Sequence, residues 1–160
     1  MRAEELPERV NDIVERLRAA EKEIDRVRVA TLLSLAGELA ASAREVYGVR
    51  FVGSVAEGAD GGDARRLALD IRGRMPGDVP AVVTIVGTGG GNPTVVIALN
   101  DTARSWGLAA GGLVKVAAST LGGGGGGKDD VAQGGGTDAQ AAPQALQDVE
   151  RAIAERVTSG

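Results

Sequence analysis

The chain has 160 residues, among them 25 Gly and only three aromatics (Tyr47, Phe51, Trp106), and a formal net charge of −4. Cys and His are both missing from it, which excludes disulfides, a thiolate nucleophile, a Ser/His/Asp triad and zinc held by Cys or His. Residues 1–47 and 48–160 each carry −2, so this is not a basic nucleic-acid binder in bulk, and a phosphate partner must be held by a local patch.

Residues 3–30 read as a helix. Leu6, Val10, Ile13, Leu17, Ala20, Ile24 and Val27 alternate spacings of four and three, an a/d seam sustained over about three heptads. Charged residues fill most other positions, and a stripe that narrow suits one partner helix better than a broad core. The partner is a second copy of the chain, giving a homodimer through the arm, or a helix preceding Met1; an amphipathic helix lying on its own domain is the alternative. After Val27 the apolar set (Leu32, Ala36, Leu39, Ala43, Val46) is displaced by one residue. The displacement predicts a bend near Thr31 and a second helix over 33–47, stopped by Gly48. Residues 1–47 are thus a helical arm, and 48–160 a globular domain.

From residue 49 the pattern changes. Val49–Val55 is β-branched and bounded by Gly, a strand. Glu57–Asp63 is a turn, with Asp63 capping a helix that runs to Met75. Ala81–Val86 and Thr94–Leu99 are continuous apolar runs joined by a Gly-rich turn, suiting a hairpin covered on both faces. A helix over 108–121, a glycine run, a short segment around Val131–Gln133 and a last helix over 139–157 complete the chain. Strands interleaved with helices give an α/β (α+β) layer domain with a mixed sheet. No apolar run reaches the roughly 18 residues of a membrane span, and the acidic N-terminus is unlike a signal peptide; a cytoplasmic protein with no membrane partner is expected.

The stretch with most chemical character is Gly122-Gly123-Gly124-Gly125-Gly126-Gly127-Lys128, followed by Asp129, Asp130 and Ala132-Gln133-Gly134-Gly135-Gly136. Backbone without side chains brings its N–H groups close to a ligand, and a cation at the end of the run adds a point charge for a phosphate. Gln133 contributes an amide that donates and accepts. A flexible linker is the plainer reading of the glycines, although a linker needs neither the flanking apolar helix nor the second glycine cluster.

The glycine run with Lys128, Asp130, Ala132-Gln133 and Gly135-Gly136 resembles the signature that ends bacterial alanyl-tRNA synthetases, the DHH-associated domain of their C-terminal (C-Ala) region. The resemblance covers the arm as well, and three positions depart from the usual pattern: Asp129, Val131 and Gly134. It implies a non-catalytic module that grips the elbow of tRNA(Ala), bridges the aminoacylation and editing modules of an alanine–tRNA ligase, and in some members dimerises. It further implies that these residues are a piece of a longer protein with Met1 an added start. ATP and the editing zinc would then belong to domains outside the piece, which itself has no catalytic residue, metal or cofactor. Gly122–Gly127, Lys128, Gln133, Arg65 and Arg72 are the candidate RNA contacts. A self-association scaffold with a purely structural glycine run is the alternative. A weaker one is the substrate-binding half of a DHH-type phosphoesterase, disfavoured because this chain has Lys128 where those enzymes place a His.

Other residues have duller readings beside the functional ones. Arg65 and Arg72, with Arg74 beside them, reach one side of their helix, a solvated face or a cationic one. Trp106 either covers the edge of the core or stacks on a base. Asp129 and Asp130 are adjacent with no evident third ligand, a poor metal site.

Overall fold

The computed structural model describes the backbone of residues 5–159 and the side chains of 10–27 and 30–158. The chain divides into two units between Ser34 and Leu35.

Helix α1 runs without interruption from Glu5 to Ala41. A break near Thr31 and a separate second helix are therefore not found. No Pro or Gly stands between Pro7 and Gly37, and the Thr31 hydroxyl donates to the Val27 carbonyl one turn back, at 2.9 Å. The one-residue displacement of the apolar set changes which face is apolar without breaking the helix. Of the seam, Val10, Ile13, Leu17, Ile24 and Val27 are exposed, Ile13 and Ile24 by about two-thirds (65% and 64%). The side chain of Leu6, and residues 3 and 4 of the expected helix, lie outside the described residues. An Asp12–Arg16 pair at 3.2 Å spans one turn of the charged surface. In the second unit, Ala36 near the end of the same helix is fully buried.

The second unit is built on a six-stranded mixed sheet of order β1-β2-β3-β4-β6-β5. Strands β1 (Arg44–Val46) and β2 (Val49–Ala56) form a hairpin with Val46 opposite Val49. Its two-residue loop, Tyr47 (φ 50°) and Gly48 (φ 86°), has the left-handed backbone of a type I′ turn. Residues 44–46, expected to be helical, are thus strand, and Gly48 is a hairpin residue rather than a helix stop. Helix α2 (Gly61–Arg74) then crosses to β3 (Ala81–Gly87), which lies parallel to β2. Asp60 caps α2 by accepting from the Asp63 amide, so the helix starts three residues earlier than an Asp63 cap implies.

Strands β3 and β4 (Thr94–Leu99) pair antiparallel as expected. The helix expected over 108–121 is α4 (Ala110–Thr120), and it is preceded by a short helix the sequence reading lacks, α3 (Asp101–Ser105). Asn100 decides this: its carboxamide oxygen accepts from the amides of Ala103 and Ala81, and its nitrogen donates to Val79, so a new helix starts where the strands end. Strands β5 (Gly124–Gly127) and β6 (Val131–Gly135), a 3₁₀ turn (Ala139–Ala141) and α5 (Ala142–Ser159) follow.

Helix α2 packs on one face of the sheet, over β3 and β4, and α4 and α5 pack on the other. Both central strands are consequently buried on every residue but Thr94, which explains apolar runs without alternation. Between sheet and α4/α5 lie Val49, Phe51, Val82, Val86, Ile97, Leu99, Val114, Val149 and Ile153. Ala64, Leu67, Ala68 and Ile71 form the buried stripe of α2. Among the described residues no helix is long and apolar enough to cross a membrane.

Candidate functional site

The glycine run is a strut laid along α4. At its start, Gly122 has φ +84° and donates to Ser119, while Gly123 donates to Ala118 at 2.8 Å. Together these bonds satisfy the last carbonyls of the helix in the Schellman pattern. At its end, the carbonyls of Lys128 and Asp129 accept from the first amides of α4, Gly111 at 3.2 Å and Ala110 at 2.9 Å. Eleven helical residues rise about 16 Å, and five extended steps from Gly123 to Lys128 cover about 17 Å, so the run fits the helix it spans. The run is therefore an edge strand and not a flexible linker. The amides of Gly122 and Gly123 serve the helix end, and that of Lys128 donates to Val131 to close the β5–β6 turn.

The two faces of this strand differ. A Cβ on Gly123, Gly125 or Gly127 would run into β6 or the residues beside it; on Gly125 it would stand 2.5 Å from the Gly134 Cα. Gly134 in turn lies against the Cβ of Ala118 on α4. These glycines are steric necessities. A Cβ on Gly124 or Gly126 would meet nothing within 4 Å. No packing reason accounts for those two.

On that open face the sheet is bare beside α2. Gly126 pairs in register with Gln133, whose side-chain nitrogen reaches the first turn of α2 at Gly61. A depression of about 330 Å³ is lined by Gly126, Gly127, Lys128, Asp130, Gln133 and Arg65, together with Val131 and Ala132. Arg65, Lys128 and Gln133 are exposed, and the three ionisable groups sum to a formal +1. The depression is thus locally cationic in a domain of net −2.

Arg72 does not join the depression. Its guanidinium points to the carbonyls of Leu99 (3.4 Å) and Asp130 (3.5 Å), tying α2 to the end of β4 and to the hairpin turn. Arg74 is held by Asp70 at 3.3 Å. Among the described residues no group of three or more His, Cys, Asp or Glu side chains is placed to hold a metal ion. The open face of β5 is invisible in the sequence, because glycine carries no side chain to show a period of two. The only hint is the second cluster, Gln133-Gly134-Gly135, which proves to be its pairing strand.

The fold is that of a known class. Residues 47–155 match the DHHA1 domain, and the chain belongs to that family. It is 55% identical over all of its 160 residues to the alanine–tRNA ligase of a Nocardioides species, of which it spans 18%. The chain thus covers under one-fifth of the length of the curated relatives it matches. Among solved structures it is similar to the C-Ala domain of Aquifex aeolicus alanyl-tRNA synthetase, with a TM-score of 0.63, 26% identity, and coverage of 70% of this chain and 97% of that one. It also superposes on RecJ from Thermus thermophilus, solved with Mn2+, at a TM-score of 0.55 and 18% identity, covering 84% of this chain and 18% of that one. This second likeness is one of fold alone.

Proposed function

We propose that the domain is a non-catalytic RNA-binding module of an alanine–tRNA ligase, docking on the elbow of tRNA(Ala) through the open face of β5. The similarity to alanine–tRNA ligases over the full chain supports the setting. The observation that carries the contact is Gly126, free of packing partners in one depression with Arg65, Lys128 and Gln133, with Gly124 equally open further along the strand. A bare floor lets a sugar–phosphate backbone approach closely, the cations meet phosphates, and the Gln133 amide suits a 2′-hydroxyl. A formal +1 gives weak intrinsic affinity. Attachment to a synthetase already holding the acceptor end raises the effective concentration and bridges the aminoacylation and editing modules. The module needs no cofactor of its own and works in the cytoplasm.

Titration of fluorescently labelled tRNA(Ala) with wild-type chain and Lys128→Glu tests this reading. The variant binds more weakly, and the slope of log affinity against log salt falls by about 0.7–0.9, one phosphate contact. Superimposable curves refute it.

The exposed seam of α1 favours a second role, self-association. Sedimentation at tens of micromolar tests it, and a monomer there removes it.

A further inference from the structure

We infer that Tyr47 and Trp106 form a stacking platform for an exposed nucleobase, a second contact for the RNA held at the β5 floor; it rests on that reading. Phe51 is buried in the core, whereas Tyr47 is 64% and Trp106 44% exposed. Both stand at the β1–β2 turn, Tyr47 within it and Trp106 against its second residue. A Cβ on Gly48 would stand 3.1 Å from Cη2 and 3.3 Å from Cζ3 of Trp106, so the indole lies against the residue that follows Tyr47. Gly48, at φ +86°, thereby fixes the turn and seats the ring at once.

Tyr47 is the one non-glycine residue with positive φ among those described. The first position of a type I′ turn is taken more cheaply by Asn, Asp or Gly, and an exposed tyrosine gains no burial in exchange. A backbone outlier holding an exposed aromatic is the kind of local cost found at binding sites. The surroundings do not suit a broad apolar partner. The adjoining depression is lined by Ala43, Glu45, Gly48, Arg50 and Val79, and Glu45 and Arg50, both exposed, stand opposite each other across the β1–β2 ladder. An aromatic surface in a polar rim of balanced charge is the chemistry by which proteins take up unpaired or helix-end bases.

The platform and the floor share one end of the sheet. Phe51, Val82 and Leu99 lie in one row across β2, β3 and β4, and the Leu99 amide donates to Asp130 in the β5–β6 turn. The β1–β2 and β5–β6 turns are thus four strand spacings apart, about 19 Å, within reach of one compact folded RNA.

Trp106 is the only tryptophan, so its emission reads the platform directly. Labelled tRNA(Ala) is titrated with the full chain, following binding by tRNA anisotropy and stacking by tryptophan quenching. The two curves coincide. Tyr47→Gly, which relaxes the turn, keeps or raises the melting temperature. It nevertheless weakens tRNA binding about 5- to 150-fold with an unchanged salt slope, because a base contact and no phosphate contact is lost. Binding seen by anisotropy with Trp106 emission unmoved, or Tyr47→Gly binding like wild type, overturns the platform and leaves the β5 floor standing. Absence of any anisotropy change overturns both. Emission that changes with protein concentration alone assigns the surface to a second copy and also overturns the proposal.

Discussion

Two neighbouring glycines of β5 respond oppositely to the same methyl group. In Gly125→Ala the new Cβ would sit 2.5 Å from the Gly134 Cα and 2.9 Å from the Gln133 carbonyl oxygen, backbone atoms that cannot rotate away. Relief requires the β5–β6 pair to separate, straining the bonds that dock the hairpin on both ends of α4. Overpacking of this kind costs about 1–3 kcal/mol, which in a chain of this size lowers the melting temperature by about 2–10 °C. In Gly126→Ala the methyl meets nothing within 4 Å, and the loss of unfolded-state freedom stabilises by up to about 1 kcal/mol. The same methyl occupies the floor of the Arg65–Lys128 depression, so tRNA binding falls while stability holds. Thermal unfolding followed by circular dichroism, run beside tRNA titration, separates the two effects. Equal melting temperatures for the two variants would refute the steric assignment of the alternate glycines, and unaltered affinity in Gly126→Ala would refute the open face as the contact.

Three further outcomes follow from the packing. Thr84 is fully buried on β3 and its hydroxyl has no partner, so Thr84→Val, of the same shape, raises stability by about 1 kcal/mol in chemical denaturation. Asp148 on α5 accepts from the Thr120 hydroxyl on α4 at 2.6 Å, and this bond, aided by Gln144 and Arg151, holds its carboxyl below the usual range. A depressed carboxyl stabilises the fold above its unfolded value near 3.9, and that contribution is lost as pH falls through the folded value. Thr120→Val therefore destabilises by about 1 kcal/mol at neutral pH, moves acid unfolding to higher pH, and differs less from wild type below about pH 4. Arg72→Ala loosens α2 from the β4 end and lowers stability by about 1 kcal/mol, yet leaves the salt dependence of tRNA binding unchanged; a reduced slope would return Arg72 to the interface.

The central strands were legible because their burial is written in composition: β3 and β4 are covered on both faces and read as unbroken apolar runs. The β1–β2 hairpin was hidden by Tyr47, which occupies a position where turn chemistry leads one to expect Asn, Asp or Gly. Arg65 and Arg72 looked equivalent on helical spacing, and only tertiary structure separates them, sending one to the depression and the other to backbone carbonyls. The glycine run and Lys128 were conspicuous in the sequence. Its division into capping, packing and open positions depends on α4 and β6, which no local pattern encodes.

The most direct measurement is a two-dimensional amide spectrum of glycine-labelled chain titrated with tRNA(Ala). The account predicts that the amides of Gly124 to Gly127 shift and broaden with the bound fraction, while Gly58 and Gly90, by the β3–β4 turn at the opposite end of the sheet from Lys128, stay in place. Saturating tRNA that leaves those four amides unperturbed would contradict it.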